Sequence, residues 1–200
     1  MNQPPQIRTA GSADLESLAA ILGNSFEHDP VMNWVIPSTA LYRDFFYLIV
    51  REIYLKRGIA HVDEAGRGAS LWLPPHEQFE LPPQWALFKL MAQMVLRKGF
   101  RPLAHMREQG ALFAKHRPRE PHFYLQFVGC TQTHQGEGVG SALLKHGTDL
   151  CDEQSSPAYL ESSNEINVPL YERHGFEVIA QEPVGTNAPT AWFMWREARR

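Results

Sequence analysis

Residues 133–144 read THQGEGVGSALL. Gly136, Gly138 and Gly140 stand at alternate positions and run directly into a helix-forming apolar segment. The preceding stretch, PHFYLQFVGC at 121–130, is aromatic-rich and predicts a central strand. Strand, glycine turn and helix in that order make an anion site, because unpaired N–H groups and the positive end of the helix dipole point outward together. Glycines let a large anion reach those N–H groups without side chains in the way. Two phosphate loops are excluded. Walker A needs Lys-Ser/Thr after its last glycine, and here Ser141-Ala142 follows Gly140; GxGxxG fails because Ser141 stands at its third glycine position. What remains is Gln-x-x-Gly-x-Gly at Gln135, Gly138 and Gly140, with a plain glycine strand-to-helix turn as the structural alternative.

Outward from the loop, apolar periodicity lays out the rest of the chain. A short strand is expected in 5–11 and an amphipathic helix over 12–26, with Ser12 at the cap position and Asp14 in the first turn. A second helix spans 39–58 and stops at Gly58, and a hairpin follows from 59–65 and 68–75. Residues 84–116 carry Leu87, Met91, Met94 and Val95 on one face and break at KGFRP, which predicts two helices. After the glycine loop come a helix over 141–154, a strand AYLES, a short helix over 167–175 and two strands, FEVIAQE and TAWFMWRE. This order predicts an α/β (α+β) domain around one mixed sheet, a single domain over 1–200 with a helical insertion at about 84–116.

The composition is that of a soluble globular protein, 44% hydrophobic and 20% charged with a formal net charge of −3. That balance suggests neither a nucleic-acid binder nor a protein held on acidic lipid. Cys130 and Cys151 form no disulfide framework and no CxxC pair, and the N-terminus lacks signal-peptide architecture. A reducing, cytoplasmic setting is expected.

A second block, ESSNEINVPLYERHGFEV at 161–178, places Asn164 seven residues before Tyr171 and closes its helix with Gly175-Phe176. Together the two blocks resemble the GNAT N-acetyltransferase superfamily, whose members bind acetyl-coenzyme A. The resemblance implies a mostly antiparallel sheet flanked by helices, with the extra helical segment between the third and fourth strands. It also implies a pyrophosphate site at Gln135, Gly136, Glu137, Gly138, Val139, Gly140 and Ser141. In the family the preceding strand bulges beside the coenzyme, a role that falls here on the backbone of Val128, Gly129 and Cys130. Much of residues 6–196 further resembles the puromycin N-acetyltransferase branch. Glu137 departs from the pattern, since relatives often place a cation there. It is expected to face solvent and to lower coenzyme affinity.

Acetyl transfer to an amine needs a neutral amine, stabilisation of an oxyanion and a proton for the departing thiolate. The resemblance makes Tyr171 the candidate acid; its unperturbed pKa of about 10 keeps the phenol protonated, and a core tyrosine is the alternative. Asn164 is expected to contact the coenzyme arm, or else to cap the helix that follows, a role Asn167 could also take. Glu161 is the candidate base, with a surface strand-end acid as its alternative. His122, His134 and His146 lack ligand spacing, so no metal is expected, and Cys130 has no activating neighbour in sequence. The leading function is acetyl-coenzyme A-dependent N-acetylation of a small-molecule primary amine. The others are peptide or protein N-acetylation and a non-catalytic coenzyme-sensing domain. Pairing into a homodimer is expected by analogy with relatives.

Overall fold

An eight-residue strand, β4 (Phe123–Cys130), occupies the middle of a seven-stranded sheet in the computed structural model, which describes residues 3–36 and 38–199. The other strands are β1 (Ile7–Thr9), β2 (Ile59–Asp63), β3 (Gly68–Leu73), β5 (Ala158–Ser162), β6 (Glu177–Pro183) and β7 (Thr190–Arg196). Their order across the sheet is β1-β2-β3-β4-β5-β7-β6. Every neighbouring pair is antiparallel except β4 and β5. A parallel pair needs a long crossover, and here the glycine loop and its helix supply it. The sheet is therefore mixed and mostly antiparallel, as expected.

Seven α-helices accompany it among the described residues: α1 (Leu15–Ser25), α2 (Pro30–Val35), α3 (Tyr42–Ile49), α4 (Trp85–Lys98), α5 (Arg101–His116), α6 (Val139–Glu153) and α7 (Val168–Arg173). The pair α4–α5 lies between β3 and β4, matching the expected insertion. Alternation along the strands splits the core in two. Leu71, Leu73, Tyr124 and Tyr159 pack with residues of α1 and α3, whereas Trp72, Phe123, Leu125 and Leu160 pack with α6 and α7. Among the described residues, no helix is long and apolar enough to cross a membrane.

Three local expectations change. Ser12 does not cap α1; a 3-10 turn (Ser12–Asp14) precedes it, and the Asp14 carboxylate accepts from Gly11 N–H at 2.8 Å while pairing with Arg8 at 2.7 Å. The helix expected over 39–58 is α3 continued by a π-helical segment, Val50–Tyr54. The six-residue α2 was not expected from periodicity, although Asp29-Pro30 carries its start signal: Asp29 accepts from Met32 N–H at 2.7 Å, and Pro30 needs no donor partner in the first turn.

The feature that positions the site is where β4 and β5 part. They pair only over Phe123–Leu125 and Ala158–Leu160, and then each continues separately. On its other edge β4 carries a bulge, since Leu71 faces Phe127 and Trp72 faces Leu125, leaving Gln126 as the extra residue.

Candidate active site

The glycine loop is built by two separate requirements. Gly136 and Gly138 have φ of 82° and 83°, the left-handed region that glycine enters freely, and Gly138 thereby turns the chain into α6. Gly140 is different. It lies within α6, and a Cβ there would meet its nearest described neighbour, Cys130 Sγ, at an ordinary 3.6 Å. The chain's own packing therefore leaves room there for a side chain that the sequence omits. Val139 is buried and offers only its backbone, and the Ser141 hydroxyl lies 2.8 Å from His174 Nε2 at the end of α7. Gln135 is exposed, with its amide 3.4 Å from Gln132 Oε1.

Glu137 does not simply face solvent as expected. Its side chain is only 23% exposed, and Oε2 lies buried 3.8 Å from Arg67 Nη1. Arg67 is itself held by Asp63 at 2.7 Å, so the guanidinium offsets part of the Glu137 charge beside the loop.

The strand end also differs from expectation. The bulge falls at Gln126, while Gly129 stays in register opposite Ala69. Gly129 is required because α1 ends against it: a Cβ there would sit 2.5 Å from Ser25 Cβ. Val128 lines the small pocket between the parted strands. Cys130 sits beside Gly140, and burial pushes its thiol up to about 11, so it holds little nucleophilic thiolate near neutrality.

Between β4 and β5 lies a pocket of about 40 Å³ whose walls include Asp29, Val128, Glu161, Ser163, Asn167 and Tyr171. Tyr171 and Glu161, ten positions apart in sequence on a helix and a strand, thus meet at one space. The Glu161 side chain is 4% exposed, not a surface acid. Burial raises its pKa to about 7, against the lowering effects of Arg117, whose Nη2 lies 3.8 Å away, and of the Tyr124 and Tyr159 phenols. A carboxyl poised near neutral pH suits a general base. Tyr171 is buried, and burial together with the nearby Asp29 carboxylate raises its pKa above the ordinary phenol value. It therefore remains a proton donor throughout the neutral range.

Asn164 caps the 3-10 turn before α7, its Oδ1 accepting from Ile166 N–H at 3.1 Å. Asn167 stands at the start of α7 in helical conformation without a side-chain capping bond. His122, His134 and His146 lie apart: His122 beside Tyr159, His134 on Thr131 at 2.8 Å and His146 against His61. Among the described residues, no three His, Cys, Asp or Glu side chains are placed to hold a metal ion.

Sequence reasoning missed Asp29, Ser163, Arg117 and Tyr124. The Ser163 hydroxyl donates to Asp29, and burial raises the pKa of that carboxyl. The Arg117 guanidinium lies 4.5 Å from the centre of the Tyr124 ring. Only Asp29 had a signal, its Asp-Pro helix start; Arg117 reaches Glu161 purely by tertiary contact.

Comparison with known proteins places the fold. A sequence model of the Acetyltransferase (GNAT) family matches residues 76–176, from the β3–α4 connection through α7. An uncharacterised N-acetyltransferase of Schizosaccharomyces pombe is 28% identical over 179 residues, covering 82% of this chain and 70% of its own. Among solved structures, an acetyltransferase of Corynebacterium glutamicum related to the histone acetyltransferase HPA2 superposes with a TM-score of 0.70 at 24% identity, covering 99% and 98% of the two chains. Arylalkylamine N-acetyltransferase 2 of Aedes aegypti shares the fold with a TM-score of 0.63 at 11% identity, covering 98% and 100%. With the family model spanning half of its length and the fold matching throughout, the chain belongs to the GNAT family of acetyltransferases.

Proposed function

We propose that the protein transfers the acetyl group of acetyl-coenzyme A directly to the primary amine of a small molecule. The observation that carries this reading is the meeting of Glu161 and Tyr171 in one pocket where β4 and β5 part. The loop fits the coenzyme: the first-turn N–H groups of α6, with Gly138, Val139, Gly140 and Ser141, would face its pyrophosphate, and the absent Cβ of Gly140 leaves room for it. Gln135, Gly136 and Glu137 would flank the same group, and the β4 backbone from Val128 to Cys130 and the Asn164 amide would line the pantetheine arm. When bound, the coenzyme supplies an activated thioester.

The chain's own residues then divide the proton traffic. Glu161 takes a proton from the incoming ammonium, and Tyr171 donates one as the thiolate departs. Backbone N–H groups on the unpaired edge of β4 face the position where negative charge develops. A thioester can be attacked by the amine without Cys130 taking part. The acceptor is small because α5 walls the space next to Glu161, where a peptide acceptor would need an open groove. The proposal also covers a place near the puromycin N-acetyltransferase branch, a cytoplasmic setting in keeping with two free thiols, and pairing of two copies along the exposed edge strand β6.

Thiol release from acetyl-coenzyme A in the presence of a panel of primary amines tests the reading. Amine-dependent release supports it. Tight coenzyme binding without release for any amine would favour the sensing alternative.

A further inference from the structure

Beside the small pocket lies a cavity of about 370 Å³, near the lower end of the size range of small-molecule sites. The two spaces share five wall residues, Phe26, Asp29, Gln126, Glu161 and Ser163, and four of these are polar. The rest of the cavity is of another character. Val31, Met32 and Val35 of α2, Phe45 of α3 and Met106 and Phe113 of α5 form its walls. Among the described residues, only Gln109, Arg117 and the Tyr124 phenol bring further side-chain polar groups. The polarity thus gathers at the end where proton transfer is proposed, and the body of the cavity is apolar.

The walls are also fixed in place. The His105 ring stacks on Trp34 at 3.8 Å, and its Nδ1 lies 2.7 Å from the Trp34 carbonyl, so α5 is fastened directly to α2, the two helices that supply much of the cavity wall. A charged group on the acceptor's body would be stranded among Val, Met and Phe side chains, at the cost of its hydration. Among the described wall residues, a second ammonium on the body would find no carboxyl group beyond Asp29 and Glu161 at the polar end. A carboxylate would have to compete for that guanidinium, which already lies between Glu161 and the Tyr124 ring.

We propose that the acceptor is a monoamine carried on an apolar, uncharged body, with its nitrogen at the Asp29–Glu161 end and its body between α2 and α5. This inference rests on the transferase reading given above. The amine nitrogen finds the Asp29 and Glu161 carboxyl groups at that end. The body replaces water against hydrocarbon and aromatic walls, which is favourable in proportion to the apolar area covered.

Straight-chain primary amines from propylamine to octylamine, assayed by thiol release at saturating acetyl-coenzyme A, provide the test. Their amine pKa values are alike, so the series varies the apolar body alone. kcat/KM should rise about fourfold for each added methylene until the cavity is full. A diamine of matched length should be at least about tenfold poorer than the monoamine. Met106→Trp, at an exposed part of the cavity wall, should lower kcat/KM for octylamine by a larger factor than for propylamine, and an equal effect on both would count against the cavity as the seat of the body. A flat or falling dependence on length, or parity between diamine and monoamine, would overturn the inference while leaving the transferase reading intact. Absence of release with every amine would overturn that reading instead. Calorimetric titration of the series into the coenzyme A-bound protein then decides the cavity separately: affinity rising with length supports it and flat affinity overturns it.

Discussion

Gly138 and Gly140 belong to one loop but serve it differently, and this decides which of them tests the coenzyme site. A side chain at Gly138 would be strained by its φ of 83° whether or not a ligand binds. Gly140 is helical with only ordinary contacts around an added Cβ. Gly140→Val should therefore stay folded by circular dichroism while losing at least about tenfold in coenzyme affinity by calorimetry; unchanged affinity would place the pyrophosphate elsewhere. In the proposed reaction Glu161, as the base, sets the pH dependence. Its carboxyl titrates near 7, so the rate should fall as pH drops below that value and the base becomes protonated. Glu161→Gln should lower the rate by about 10²–10⁴-fold and lose that limb. A Gln variant that retains the limb would assign it to another group. Because the native state holds this proton more tightly than an unfolded chain does, Glu161's contribution to stability declines as pH rises from the ordinary carboxyl range through about 7. The loop glycines and Tyr171 were legible in the sequence because their spacing is local. Asp29 and Arg117 were not, because they reach Glu161 and its pocket only when α2, α5 and β5 are folded together.

At the scale of elements, α6 needs its own glycine to lie close to the sheet. A Cβ at Gly147 would sit 2.3 Å from the fully buried Trp72 ring, and a ring packed between helix and strand has no free rotamer to yield. Gly147→Ala should destabilise the fold by about 1–3 kcal/mol through overpacking, seen as a lower urea midpoint. An unchanged midpoint would mean that α6 can shift outward without loss. Helices α1 and α4 to α6 and strands β2 to β5 were readable from apolar period and from their glycine and proline stops. The six-residue α2 is too short to display a period. The bulge at Gln126 and the parting of β4 from β5 depend on the register of neighbouring strands, which a single strand's sequence does not encode. For the same reason Gly129 was read as the distorted position, when it makes room for Ser25 instead.

Across the whole molecule, the sheet holds two approaches to one point. The glycine loop and α6 lie at the end of β4, α2 and α5 enclose the apolar cavity, and the parted strands bring Tyr171 and Glu161 between them. The motif residues of both blocks, Gln135 to Phe176, lie within the matched half of the chain, so the proposed coenzyme side was legible; the proposed acceptor side is built largely by α2 and α5, whose joint surface no local pattern describes. The central claim is direct transfer at that point with Tyr171 as the acid. Burial and Asp29 raise the Tyr171 phenol above its ordinary range, so its ionisation gives no useful high-pH limb and turnover itself must report its role. The most direct measurement is thiol release, with and without an amine, by the wild type and Tyr171→Phe, alongside coenzyme affinity. The expected result is amine-dependent release that falls by about 10²–10⁴-fold in the Phe variant while coenzyme affinity is retained. A Phe variant within about twofold of wild type, with chemistry shown to limit the rate, would contradict it.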